Sequence, residues 1–110
     1  MALPGHKRLK SRFGTAAACR NLGTALFLKG QVDEAIAQFQ RAVRLDPAWA
    51  YAHHSLGVAL REQGRLDEAI HEFEEALRLQ PGLAEASKDM AVAVHLKESL
   101  AQPPAAATKP

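Results

Sequence analysis

Apolar positions in the first half of the chain recur at spacings of three and four. Leu22, Ala25, Leu26 and Leu28 form one such run, and Gly30 follows where a helix would end. Asp33 and Glu34 then supply two carboxylates, which suit the partial positive charge of a helix N-terminus. Ala35, Ile36, Phe39, Ala42 and Val43 make a second apolar stripe, and Pro47 bars the helical conformation at Asp46. The course is then run again through Leu56, Leu60, Gly64, Asp67–Glu68, Ile70, Phe73, Leu77 and Pro81. The pattern predicts two helix–turn–helix units.

The two units are copies of one another. Residues 16–49 laid on 50–83 without a gap give sixteen identities in thirty-four pairs. Chance at ordinary residue usage gives about two or three. Small residues recur as well: Gly23 and Gly57 on the first helices, Ala35, Ala42, Ala69 and Ala76 on the second. A glycine inside a helix costs roughly 0.5–1 kcal/mol relative to alanine. Its return at the equivalent place predicts a close helix–helix approach, near the low end of the ~8–10 Å interaxial range, with Phe39 filling the wedge.

Composition narrows the class. Apolar residues make up 47% and charged residues 24%, as in globular domains, but aromatic residues only 5%. Such a core is built of Ala, Leu and Val, which favours packed helices over sheets. A single cysteine excludes a disulfide framework and a multi-cysteine zinc site. No apolar run approaches the ~20 residues of a membrane span. The net charge of +2 conceals an asymmetry: the first carboxylate is Asp33, so residues 1–32 are purely basic, and the remainder sums to about −4. Residues 1–15, with Lys7, Arg8, Lys10 and Arg12, read as a basic, solvated arm lacking the apolar stretch of a secretory signal.

In these motifs the chain resembles the tetratricopeptide repeat family, whose 34-residue pattern is W-x2-L-G-x2-Y, A-x3-F and P. Here it stands as Cys19-x2-Leu22-Gly23-x2-Leu26, Ala35-x3-Phe39 and Pro47, and again as His53-x2-Leu56-Gly57-x2-Leu60, Ala69-x3-Phe73 and Pro81. Cys19 and His53 replace the Trp, and Leu26 and Leu60 the Tyr. The resemblance implies an all-α, right-handed α-solenoid: repeats at 16–49 and 50–83, then a capping helix, a partial third repeat, at 84–101. The last residues, 102–110, read as a disordered Pro/Ala tail. Met90 and Val94, equivalent to Leu56 and Leu60, would face a missing partner helix. They are the candidates for self-association, which would complete the core by dimerisation or helix exchange.

The resemblance also implies a concave face lined by the first helix of each unit. From the first unit it should comprise Ala17, Arg20, Asn21, Thr24 and Phe27, and from the second Tyr51, His54, Ser55, Val58 and Arg61. Glu85, Lys88, Asp89 and Val92 should come from the third. Such a mixed surface suits a partner peptide or helix, with Tyr51 and Phe27 as anchors. Some family members clamp the C-terminal carboxylates of chaperone tails. The matching positions are Arg20, Thr24, Ser55, Glu85 and Asp89, and the last two carry the wrong sign, which argues against that clamp.

Candidate chemistry adds little. His53 and His54 are adjacent on one helix, about 100° apart, and do not share a metal ion readily. His53 holds a scaffold position and His71 a solvent face, while His54, His95 and Asp89 could converge on the groove. Cys19 and His53 occupy equivalent places, but a lone scaffold thiol reads as a small buried hydrophobe. With no catalytic triad pattern, phosphate loop or H-E-x-x-H, the chain is expected to be a non-catalytic interaction module without cofactor or metal. The partner expected is another protein, with a homo-oligomer as the alternative. Nucleic-acid or membrane-surface binding by the basic arm is disfavoured, since no aromatic residue interleaves with the charges before Phe13. A cytoplasmic setting is the default expectation.

Overall fold

The computed structural model describes residues 4–101, with side chains from Gly14 onward. Five helices follow one another: α1 Pro4–Leu28, α2 Val32–Leu45, α3 Ala50–Glu62, α4 Leu66–Leu79 and α5 Ala84–Ala101. The described residues contain no strand. α1 begins well ahead of the repeat at residue 16, so its helical backbone runs back through most of the basic segment. Pro4 stands at its first position, where the missing N–H costs nothing. The side chains of the basic arm and the Pro/Ala tail lie outside the described residues.

Each hairpin closes the same way. Gly30 and Gly64 take the left-handed conformation, with φ of 84° and 80°. The Gly30 N–H donates to the Phe27 carbonyl and the Gln31 N–H to the Leu26 carbonyl, each at 2.9 Å. Gly64 and Arg65 repeat the pair onto Arg61 and Leu60 at 2.9 and 3.0 Å. These two bonds satisfy carbonyls that a helix end leaves unpaired. α2 and α4 each open with two carboxylates, Asp33–Glu34 and Asp67–Glu68, as the sequence predicts.

The helices stack through three buried clusters, of which one is the largest. Ala35, Ile36 and Phe39 of α2, Leu56, Ala59 and Leu60 of α3, Ala69 and Phe73 of α4 and Ala93 of α5 form a single buried cluster. At the expected close approach each glycine meets an aromatic ring. A Cβ on Gly23 would lie 2.6 Å from Phe39 Cε1, and one on Gly57 would lie 2.6 Å from Phe73 Cε1. The ring of the second helix thus lies against bare backbone of the first.

The ends of the stack differ from its middle. Leu22 and Leu28, read as part of an apolar core stripe, are exposed, Leu22 by 49% against 5% for its equivalent Leu56. Leu56 packs on α2 of the preceding unit, and among the described residues no helix stands in that place beside α1. Met90 and Val94, expected to face a missing partner, are half-buried, and Met90 packs on the central cluster. The large apolar side chains that α5 leaves exposed are instead Val92, Leu96 and Leu100.

Candidate functional site

Of the predicted residues, Arg20, Thr24 and Phe27 of α1 and His54, Ser55 and Val58 of α3 come together, and Asp89 of α5 meets His54 and Arg61. An open pocket of about 190 Å³ lies between α1 and α3, lined by Arg20, Thr24, Phe27, Phe39, His54, Ser55 and Val58. It is smaller than the ~300–1,000 Å³ of typical small-molecule sites. A single apolar side chain suits it better than a cofactor. Phe39, read from sequence only as core, supplies part of its wall because its ring reaches past Gly23.

Arg20 stands at the rim in a fixed pose. Its Nε donates to Ser55 Oγ at 3.0 Å. Its guanidinium carbon lies 5.7 Å from the Trp49 ring centre and 5.8 Å from that of Tyr51. Ser55, expected to touch a partner, is itself buried and serves to orient Arg20. Tyr51 stays exposed and half-covers the guanidinium. Sequence reasoning missed Trp49, because it precedes the inner helix and joins the site only through the turn into α3.

Farther along, charge is spent internally. His54 Nε2–H donates to Asp89 Oδ2 at 2.7 Å, and Arg61 Nη1 to Asp89 Oδ1 at 3.2 Å. Burial works against the Asp89 charge, but the hydrogen bonds from His54 and Arg61 outweigh it and hold the carboxyl below its ordinary 3.8. Of the expected His54–His95–Asp89 convergence, the first and third members meet. His95 is exposed and stands apart from them. The repulsion of an anionic ligand assigned to Asp89 is therefore largely offset, leaving Glu85 as the uncompensated acid. Asn21, Glu85, Lys88 and Val92 are exposed on their helices and line no part of the pocket.

His53 is buried and has two acceptors. Its Nδ1 faces Glu72 Oε1 and its Nε2 the Pro47 carbonyl, each at 2.8 Å. Two acceptors facing the two ring nitrogens favour the imidazolium, in which both donate. The Glu72 hydrogen bond, opposed by burial and helped by the Pro47 carbonyl and by the charges of Glu72 and Glu75, raises its pKa above 6.5. Stability from a raised histidine pKa is fully present below the unfolded value and lost as pH rises through the folded one. Against His53→Gln, the wild-type stability margin should be largest below pH 6.5 and shrink as the pH becomes alkaline. Urea melts of both chains across that range check it, and a margin independent of pH would contradict the imidazolium. Cys19 is buried, as a scaffold thiol should be.

A second pocket of about 300 Å³ opens between α2 and α4, over Leu56 and Leu60. Its carboxylates are already engaged: Asp67 with Lys97 at 2.6 Å, Glu68 with Arg65 and Glu72 with His53, both at 2.8 Å. No group of three or more potential metal ligands occurs among the described residues. None of their helices is long and apolar enough to cross a membrane.

Paired helices, glycine-on-ring contacts and a lined inner face define a helical-hairpin repeat solenoid. The sequence profile of the tetratricopeptide repeat matches residues 20–84 and 54–102, and the chain belongs to that family. MamA is 30% identical with a TM-score of 0.74, over 78% of this chain and 50% of MamA. YrrB, a TPR protein described as having an unusual peptide-binding site, is 32% identical with a TM-score of 0.73, over 76% of this chain and 43% of YrrB. The second TPR domain of Spaghetti (RPAP3), bound to an HSP90 peptide, superimposes with a TM-score of 0.78 over 84% of this chain and 86% of that domain. Its 19% identity makes it evidence of fold alone. This chain spans about half the length of the MamA structure it matches. No curated protein sequence matches it. Repeats of this family are in general protein-interaction modules without catalysis.

Proposed function

We propose that the chain is a non-catalytic interaction module that holds a segment of a partner protein on its inner face. The observation that carries this reading is the open apolar pocket between α1 and α3, with Arg20 fixed at its rim. Phe27 and Val58 would take the partner's apolar side chain, and Tyr51 would pack beside its backbone. YrrB, with its unusual peptide-binding site and 32% identity, supports the same use. A chaperone C-terminal tail is not the occupant we expect, since Glu85 stands where such a clamp places a cation. Self-association through Met90 and Val94 is the alternative reading, since both keep more exposed surface than their equivalents Leu56 and Leu60.

Peptides selected on immobilised protein test the reading. Val58→Glu puts a carboxylate on the pocket wall and should weaken the selected peptides at least about tenfold, the scale of burying an unpaired polar group. Gln40→Glu, on the opposite side, should leave them unchanged. Equal effects of the two substitutions would remove the groove as the docking surface.

A further inference from the structure

The inner-face reading can be deepened to the chemistry of the partner, and the inference rests on that reading. Two cations of this face stand in different situations. Arg61 is neutralised by Asp89. Arg20 has no carboxylate partner among the described residues, although Ser55, Trp49 and Tyr51 fix its position. Residues 1–32 contain no acid and residues 102–110 no acidic side chain, so acidic side chains of this chain begin only with Asp33. With its Nε engaged, Arg20 presents its two terminal amino groups in the fork that matches a carboxylate. The pose is set before binding, so little side-chain entropy remains to be lost.

The pocket beside it supplies the second half of the recognition. Phe27, Phe39 and Val58 supply the apolar wall of the pocket that Arg20 also lines. The same juxtaposition recurs along the stack: Arg20, His54 and Lys88 are equivalent positions, as are Thr24, Val58 and Val92 one turn later. A column of Arg20, His54 and Lys88 therefore runs beside one of Thr24, Val58 and Val92 across three inner helices, with His54 engaged by Asp89. A chain crossing these helices in extended form would place alternate side chains against the two columns. Glu85 and the internally compensated Asp89 lie toward α5, so the positive end of the face is at Arg20.

We infer that the partner is an extended segment with an internal acidic side chain paired to Arg20 and an adjacent large apolar side chain in the Phe27–Phe39–Val58 pocket. Anisotropy titrations with three labelled peptides test it. One alternates leucine with glutamate and is capped at both ends, the second replaces glutamate by glutamine, and the third is the glutamine peptide with a free C-terminal carboxylate. The glutamate peptide should bind about tenfold tighter than the capped glutamine peptide, the size of one charge-assisted hydrogen bond. Arg20→Gln, which keeps a donor for Ser55, should abolish that preference, and Arg20→Lys should retain part of it. Circular dichroism melts confirm that both variants stay folded.

Equal binding of the two capped peptides would overturn the carboxylate pairing and leave the groove itself standing. A preference that survives Arg20→Gln would assign it to another cation and overturn the inference equally. A gain seen only with the free C-terminus would make the ligand a chain end, again contradicting it. If none of the three binds while selected peptides still respond to Val58→Glu, the inference fails alone. If the selected peptides are also indifferent to Val58→Glu, the groove reading fails with it.

Discussion

Phe73→Ala is expected to cost about 3–5 kcal/mol, the range for truncating a buried aromatic residue in a core. Phe73 is the largest side chain that is wholly buried, and its cluster draws on α2, α3, α4 and α5 together. The cavity would open beneath Gly57, where bare backbone offers no side chain to fall into the gap. Domains of this kind are stable by only ~5–15 kcal/mol, so the loss is a large part of the total. At ~4–8 °C per kcal/mol for a domain of this size, the melting temperature should fall by more than about 10 °C. Thermal melts by circular dichroism read this directly. A fall of only a few degrees would mean that the stack does not depend on that ring.

Gly57→Leu attacks the same contact from the other side. The first carbon alone would stand 2.6, 2.8 and 3.0 Å from three atoms of the Phe73 ring. Because that ring is fully buried it has nowhere to move, and the hairpin must spread. Overpacking of this kind typically costs about 1–3 kcal/mol and occasionally more. The better helix propensity of leucine returns only ~1 kcal/mol. Gly23→Leu meets the same distance to Phe39, but that ring borders the open pocket and can swing into it. The first substitution should therefore lower the melting temperature more than the second, while the second should close the pocket. Equal melts for Gly57→Leu and wild type would contradict the stacking scheme.

Much of this fold is legible in the chain because the same residues recur wherever the same contact does. Gly30 and Gly64 mark the turns, the paired carboxylates open the second helices, and Gly23 and Gly57 mark where a ring must lie on backbone. Repetition is a poor guide at the ends of the array, where the neighbour that buries a position changes. Leu22 and Leu56 are the same residue at the same register, yet one is exposed and the other buried, because only Leu56 has a preceding α2 beside it. Met90 packs on the same cluster as its equivalent Leu56 but keeps more of its surface exposed, since no helix follows α5 among the described residues.

The site was legible as a face rather than as an arrangement. The register placed Arg20, Thr24, Phe27, His54 and Val58 together, and they line one pocket. It brought His54 and Asp89 together but not Arg61, whose bond to Asp89 depends on side-chain reach between α3 and α5. Nor could it find Trp49, whose turn residue has no fixed register with the inner helices. The resulting division into a compensated stretch near α5 and an uncompensated arginine near α1 is what gives the face its polarity.

The most direct measurement is the footprint of a bound peptide on isotope-labelled protein, read from backbone amide shifts during titration. The largest shifts are expected at Arg20–Phe27 of α1 and His54–Val58 of α3. Shifts concentrated instead around Gln40 and His71, on α2 and α4, would contradict it.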